Sequence, residues 1–195
     1  VSGCIERGIK DNEAQNIFDL LARFADYGFN KSHAAAYALI SFQTAYLKTH
    51  YPLEFFAASM TLDINNTDKL AIFQQELSRM EIKLYPPDIN FSDVYFVTNQ
   101  DGIKYALGAI KNVGIESMKE LVAERNKNGP FNSFDNFLDR VNNSIANKKT
   151  LEALSCAGVF DSFDIKREYI FNQSNEIIKA LKDFKLKSDS NQGDI

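Results

Sequence analysis

Cysteine, histidine and long apolar runs are all scarce in this chain of 195 residues, and each scarcity removes a class of function. The two cysteines, Cys4 and Cys156, lie far apart and match no metal spacing. Sparse, unpaired thiols fit a reducing cytoplasm, which is the expected location. The two histidines, His33 and His50, come without companion ligands, so no zinc site is expected and no metal is assigned to this chain. No apolar run approaches the roughly 20 residues of a membrane helix, so no membrane partner is expected. The nearest run, Ala34 to Ile40, is short and interrupted by Tyr37. Tandem repeats, heptad seams and low-complexity blocks are missing too. The chain opens on Val1 in mid-pattern, which reads as a piece of something larger.

What is present is ordinary globular composition: 45% hydrophobic and 25% charged residues, enough for one or two domains with a real core. The net charge of −4 counts against nucleic-acid binding, which usually goes with a basic surface. The distribution is less even than the sum. Much of the acid lies in the first half, whereas Lys111, Lys119, Arg125, Lys127, Arg140, Lys148, Lys149, Lys166 and Arg167 share the second. A local basic face is compatible with that pattern.

Helical periodicity runs through the first half. Residues 11–27 carry an apolar stripe of Ile17, Leu20, Leu21 and Phe24, with Gly28 as a stop and Phe29 folding back. Ser32 is the expected N-cap of a helix reaching about His50, with Tyr37 in the core. Pro52 ends that helix and seats a buried one over Leu53 to Leu62; Thr67 is the expected cap of another, to about Met80. The register then changes. Glu81 to Tyr85 alternates like a strand, the Pro86-Pro87 segment must be extended, and Val94 to Thr98 and Ile103 to Leu107 flank a turn at Asn99 to Gly102. Helices resume after Gly114, at Ser133, at Asn147 and after Asp161, the last bearing Ile170, Ile177, Leu181 and Phe184, with a polar, mobile tail after Lys187. Phe131, Phe134 and Phe160 are expected in the core.

The segment Gly108-Ala-Ile-Lys-Asn-Val-Gly114 organises the second half. A glycine closes a turn, and an amphipathic helix with Ile115, Met118, Leu121 and Val122 on one face begins at once. The first helical amides have no partner inside the helix and carry its positive dipole end, and a residue without a side chain lets a phosphate approach them. The pattern Ile110-x-x-Val113-Gly114-x-x-x-Met118-x-x-Leu121-Val122 resembles a helix-hairpin-helix motif, which grips one strand of duplex DNA by its backbone. Such turns usually read glycine-hydrophobic-glycine. Here Asn112 takes the first glycine's place, and asparagine tolerates left-handed backbone angles. Leu154 to Asp161, with Gly158 as a helix stop, looks like a second hairpin.

Several further motifs occur in one order: Tyr27-Gly-Phe-Asn-Lys-Ser-His-Ala-Ala-Ala-Tyr37, Gln43 to Pro52, Pro86-Pro-Asp-Ile-Asn90, Gly108 to Gly114, Asn147 to Leu154 and Ala157 to Asp161. With them nearly the whole chain resembles the α subunit of bacterial DNA polymerase III. The resemblance implies a mainly α fold: a helical fingers segment over 1–85, then a small helical domain with one β-hairpin and tandem helix-hairpin-helix elements over 86–165, then a C-terminal helix and tail over 166–195. It implies a non-catalytic piece of a DNA-directed DNA polymerase, whose two Mg2+ ions sit on palm carboxylates not found here. No Asp-x-Asp pair in this chain fills that role, and the piece alone is expected to be inert. Lys31 and His33 would face the phosphates of the incoming dNTP. Lys111, Asn112, Val113, Gly114 and Lys119 would hold duplex DNA, the amides of Val113 and Gly114 meeting phosphate, with Lys148, Lys149 and Arg167 as weaker candidates. Gln192 and Ile195 would open a truncated sliding-clamp motif, and other replicase subunits would be further partners.

Two other readings remain open on the residues alone. A scaffold could use helical hairpins to bind protein, which the negative charge favours. A nuclease or glycosylase could also carry such hairpins, although no convincing carboxylate or His/Cys constellation supports one.

Overall fold

The computed structural model describes residues 1–25 and 31–191, with side chains described from His33 to Asp183 in the second stretch. The turn expected at Gly28 and the contacts expected of Phe29 and Phe184 lie outside the described residues. Two compact units are present, residues 1–50 and 51–195.

The first unit is helical: α1 (Ser2–Ile5), α2 (Asp11–Ala25) and α3 (Lys31–His50). Asp11 and Glu13 sit in the first turn of α2, where they complement the helix dipole. Its apolar stripe is not buried: Ile17, Leu20, Leu21 and Phe24 are all exposed. Helix α3 starts one residue before the expected cap, so Ser32 lies inside its first turn. Tyr37, expected in the core, is 56% exposed and packs on His33 with ring centroids 4.3 Å apart.

The second unit opens with α4 (Pro52–Leu62), where proline occupies the first turn and so removes an amide that had no acceptor. Phe56, Ala57 and Met60 bury one face of it, but Leu62 is 87% exposed, so burial is one-sided. Helix α5 (Thr67–Arg79) is capped by Asn66, which accepts from the Lys69 amide; the expected cap Thr67 is the first helical residue. Leu70 and Leu77 are its buried stripe.

Three short strands follow: β1 (Lys83–Tyr85), β2 (Val97–Asn99) and β3 (Gly102–Lys104). The expected hairpin is the antiparallel pair β2–β3, with Thr98 opposite Ile103. The sheet is larger than that hairpin, because β1 joins β3 in parallel, with Leu84 opposite Ile103. The position Pro86 lies between the paired strands β1 and β3, within the second compact unit.

The remaining helices are α6 (Ile115–Asn128), α7 (Phe134–Arg140), α8 (Lys148–Ala157), α9 (Arg167–Asn172) and α10 (Ser174–Asn191). The single last helix expected after Asp161 is thus two helices, α9 and α10, after a short 3-10 turn at Asp161–Phe163. The segment expected to be a mobile tail after Lys187 is helical as far as Asn191. Ser133 and Asn147 cap α7 and α8 through the amides of Asn136 and Thr150. Gly158 ends α8 in the left-handed region at φ 81°.

Two cores fill this unit. One lies between α4, α5 and the sheet, around Phe56, Met60, Leu77 and Ile103. The larger joins α6, α7, α8, α9 and α10 around Met118, Leu121, Leu151, Leu154 and four phenylalanines. Phe131, Phe134, Phe137 and Phe160 are each at most 4% exposed, with Phe134 and Phe137 at 5.0 and 5.1 Å from Phe160. Three of these were expected in the core; Phe137 completes the set. The Pro86–Asn90 segment is tied to this core by a two-way amide pair, in which Asn90 donates to the Phe131 carbonyl at 2.9 Å and accepts from its amide at 2.8 Å.

Truncating the central ring, Phe137→Ala, should cost about 3–5 kcal/mol in denaturant unfolding, because the surrounding helices cannot close the void. A loss below about 1 kcal/mol would mean the cluster is not a cooperative core.

Candidate nucleic-acid interface

The turn before α6 is built from residues with different local duties. A 3-10 turn at Leu107–Ala109 precedes it, so the first helix of this hairpin is reduced to a single turn. Gly108 is a packing glycine. A Cβ there would stand 2.8 Å from the Val94 carbonyl oxygen, and its amide donates to that carbonyl at 3.0 Å. Asn112 adopts φ 70°, the left-handed region expected for the residue in the missing glycine's place. Gly114 is different from both. It has φ −81° and ψ 133°, angles open to any residue, and a Cβ would meet only the Ser117 hydroxyl at 3.5 Å. Neither backbone strain nor packing within the chain requires glycine at 114.

Gly114 is also the N-cap of α6, and it offers no side-chain acceptor. Helices α5, α7 and α8 are each capped by a side chain, whereas α6 is left open. The Val113 amide, expected to be a phosphate donor, already donates to the Ile110 carbonyl at 3.2 Å. The Gly114 amide makes no hydrogen bond among the described residues, so the available donors begin there and continue into the first turn.

The cations near this turn are not equivalent. Lys111 is exposed and has no ion pair among the described residues. Lys119 is held at 2.8 Å by Glu116, which raises its pKa, first through that hydrogen bond, with Tyr95 adding to the effect. Lys149 lines one shallow depression with Lys111 and Asn112, so the structure brings these three together. Lys148 lies on the other side of the same α8 turn, with Glu152 at 3.8 Å. Arg167 is tied to Asp161 by a bidentate contact, and Arg125 and Arg140 are turned inward. Arg125 donates to the carbonyls of Ile89 and Ser92, and Arg140 pairs with Glu124 at 3.0 Å while covering the Phe131 ring at 4.4 Å. These three arginines brace the fold, so the basic face expected from the sequence is narrower than the sequence count.

A polar bridge sets α6 against the start of α8. Glu120 on α6 accepts from Asn142 at 2.7 Å and from the Ser144 hydroxyl at 2.9 Å. The Ser144 carbonyl in turn accepts from Asn147, the cap of α8, at 2.7 Å. Asn142 and then Ser144 hold the Glu120 carboxyl below its ordinary pKa.

The other site residues fall in the first unit or at the end of the chain. Lys31 begins α3, but its side chain lies outside the described residues. His33, in the first turn of α3, is exposed and paired with Tyr37. Gln192 and Ile195 lie outside the described residues. Among the described residues no group of three or more His, Cys, Asp or Glu is placed to hold a metal, and no helix is long and apolar enough to cross a membrane.

Comparison with known proteins matches this geometry. A family signature described as a helix-hairpin-helix motif covers residues 81–170. The DNA polymerase III subunit alpha of Caulobacter vibrioides is 46% identical over 193 residues, 99% of this chain and 17% of that protein. Those of Borreliella burgdorferi and Pseudomonas aeruginosa are 44% and 41% identical over 94% and 100% of this chain, and it covers 16% and 18% of them. The chain belongs to the DNA polymerase III α-subunit family. It spans about a sixth of the length of these relatives. The matched signature begins before β1 and ends in α9, so it includes both the strand β1 and the α8–α9 turn.

Sequence reasoning missed Glu116, Glu120 and Tyr95. The Glu116–Lys119 pair was readable from its i,i+3 spacing. The partners of Glu120 were not, since Asn142 and Ser144 are more than twenty residues away.

Two outcomes follow from these contacts. Glu116→Gln should strengthen binding of a labelled duplex several-fold in anisotropy at low salt, because it frees Lys119 and removes a repelling carboxylate from the open helix end. Glu120, with its folded pKa depressed, contributes stability that is complete above the ordinary glutamate value of about 4.3 and is lost as pH falls through the lower folded value. Glu120→Gln should therefore lose less melting temperature than the parent chain between pH 7 and pH 3. An unchanged pH profile would remove Glu120 as the titrating link.

Proposed function

We propose that this chain is the part of a DNA polymerase III α subunit that holds duplex DNA by its backbone and supports the incoming-nucleotide side of the active site. The observation that carries the reading is Gly114: a glycine with ordinary angles and open space, capping α6 without an acceptor, beside the exposed Lys111. A glycine the fold does not need leaves room for a backbone to approach free amides, and phosphate is the group those amides and that lysine would bind. Asn112 shapes the turn, Val113 holds it closed through Ile110, and Lys119, Lys148 and Lys149 add ionic contacts. Contacts of this kind position a duplex and carry no base information, so binding is sequence-independent and salt-sensitive.

In this proposal residues 1–85 act as the end of the fingers, 86–165 as the duplex-binding part and 166–195 as the lead to a clamp motif at Gln192 and Ile195. Lys31 and His33, at the start of α3, meet the triphosphate of the dNTP together with the helix dipole. Nucleotidyl transfer, with Mg2+ on palm carboxylates, belongs to the longer polymerase in the bacterial cytoplasm, alongside the sliding clamp and other replicase subunits. This chain contributes placement rather than chemistry.

The test is fluorescence anisotropy of a labelled duplex and its matching single strand, titrated with this chain at two salt concentrations. Expected are duplex preference, weakening at higher salt, and loss of roughly tenfold in Lys111→Ala and Gly114→Val, neither of which disturbs a buried contact. Duplex affinity unchanged in both variants would sink the hairpin as the grip. Absence of binding even at low salt would favour the scaffold reading.

A further inference from the structure

The first turn of α8 separates two basic depressions. On one side Lys149 faces the hairpin turn with Lys111 and Asn112. On the other, Lys148 shares a depression of about 510 Å³ with Asn143, Asn147, Asn175, Lys179 and Lys182. The second depression is supplied by two elements distant in sequence, the loop into α8 and the helix α10, and no carboxylate lines it. Lys179 and Lys182 are exposed, and among the described residues neither forms an ion pair. Glu176 and Asp183 are on the same helix but outside the lining, and Glu152, the partner of Lys148, stands at the long distance of 3.8 Å while also accepting from Ser174.

Three ammonium groups gather here against a single carboxylate, Glu152, which only Lys148 meets and only at 3.8 Å; that leaves a local positive excess on a chain of net charge −4, which an anionic ligand would neutralise. The amides of the lining asparagines differ in availability. Asn147 is committed on both sides, accepting from Thr150 and donating to Ser144. Asn143 and Asn175 are exposed and make no hydrogen bond among the described residues, so their amides remain as donors for oxygen atoms. Lysines with side-chain amides at the rim of an open depression suit phosphate oxygens. Lys148 and Lys149, one residue apart on α8, turn toward the two depressions and make one strip from Lys111 to Lys182.

We propose that the nucleic-acid grip continues past the hairpin turn to α10, with Lys148, Lys179 and Lys182 holding a second stretch of phosphate backbone. This rests on the duplex-binding reading above and adds a contact element outside the two hairpins. Because α10 reaches the duplex through phosphates alone, its contribution is electrostatic and uniform across sequences.

The experiment is the same duplex titration, over a range of salt, with Lys179→Ala/Lys182→Ala and with Lys179→Glu/Lys182→Glu. Both lysines are exposed, and an unchanged melting temperature checks the fold. Expected are a roughly tenfold or greater loss for the charge reversal and a fall of about 1.8 in the log–log salt slope for the alanine pair, about 0.9 per phosphate lost. Lys111→Ala is run beside them. If Lys111→Ala weakens binding and the α10 pairs match the parent chain in affinity and slope, this inference is overturned and the hairpin grip stands. If the α10 pairs weaken binding and Lys111→Ala does not, the continuous strip is overturned along with the hairpin grip. Polyglutamate serves as a second probe: loss of its binding in the α10 pairs with duplex binding intact assigns the depression to acidic protein and overturns the proposal.

Discussion

The packing of four phenylalanine rings holds the second unit together. Phe131, Phe134 and Phe137 come from the segment between α6 and α8, and Phe160 follows the left-handed stop at Gly158. Each ring removed from water stabilises by about 1.5–3 kcal/mol, and edge-to-face geometry adds to that. Neither the hairpin at Gly114 nor the one at Gly158 could supply this core alone, because its rings come from both sides of α8. The two hairpins are therefore one body. Their turns can be stationed on the surface because the apolar residues between them are consumed inside.

Around that core, arginine and asparagine do the fastening, and this explains how a chain of negative net charge can present a basic strip. Arg125 and Arg140 reach backbone carbonyls, and Asn90 pairs with the backbone of Phe131. Guanidinium groups suit this work because several donors in a fixed fork satisfy several carbonyls at once. The lysines are left outside, at Lys111, Lys148, Lys149, Lys179 and Lys182, with long flexible stems and point charges. Which cations remain at the surface is set by which of them have internal duties, and the total charge says little about it.

The identity of the local elements was readable from residue type. The helix starts at Ser133 and Asn147, the stop at Gly158, the left-handed turn at Asn112 and the apolar faces of α5, α6 and α8 all follow from side-chain size and hydrogen-bonding capacity within a few residues. Where neighbouring residues could serve equally, the reading slipped by one, as with Asn66 in place of Thr67. The parallel partner of β3 was missed for a different reason. Strand β1 is separated from it by a loop whose course depends on Arg125 and Phe131, and nothing local announces the pairing. Tyr37 and the α2 stripe show the converse limit: periodicity says that a face is apolar, and cannot say what covers it.

The sequence by itself determined the elements, the family and the location of the hairpin turn, because these depend on propensities and spacings carried by contiguous residues. Only the tertiary structure decided which donors and charges remain available at that turn. It committed Val113 to Ile110, Lys119 to Glu116 and Arg167 to Asp161, left Gly114 open, and carried Lys179 and Lys182 beside Lys148. Availability is a property of partners in space, and those partners come from segments that the order of residues does not place together.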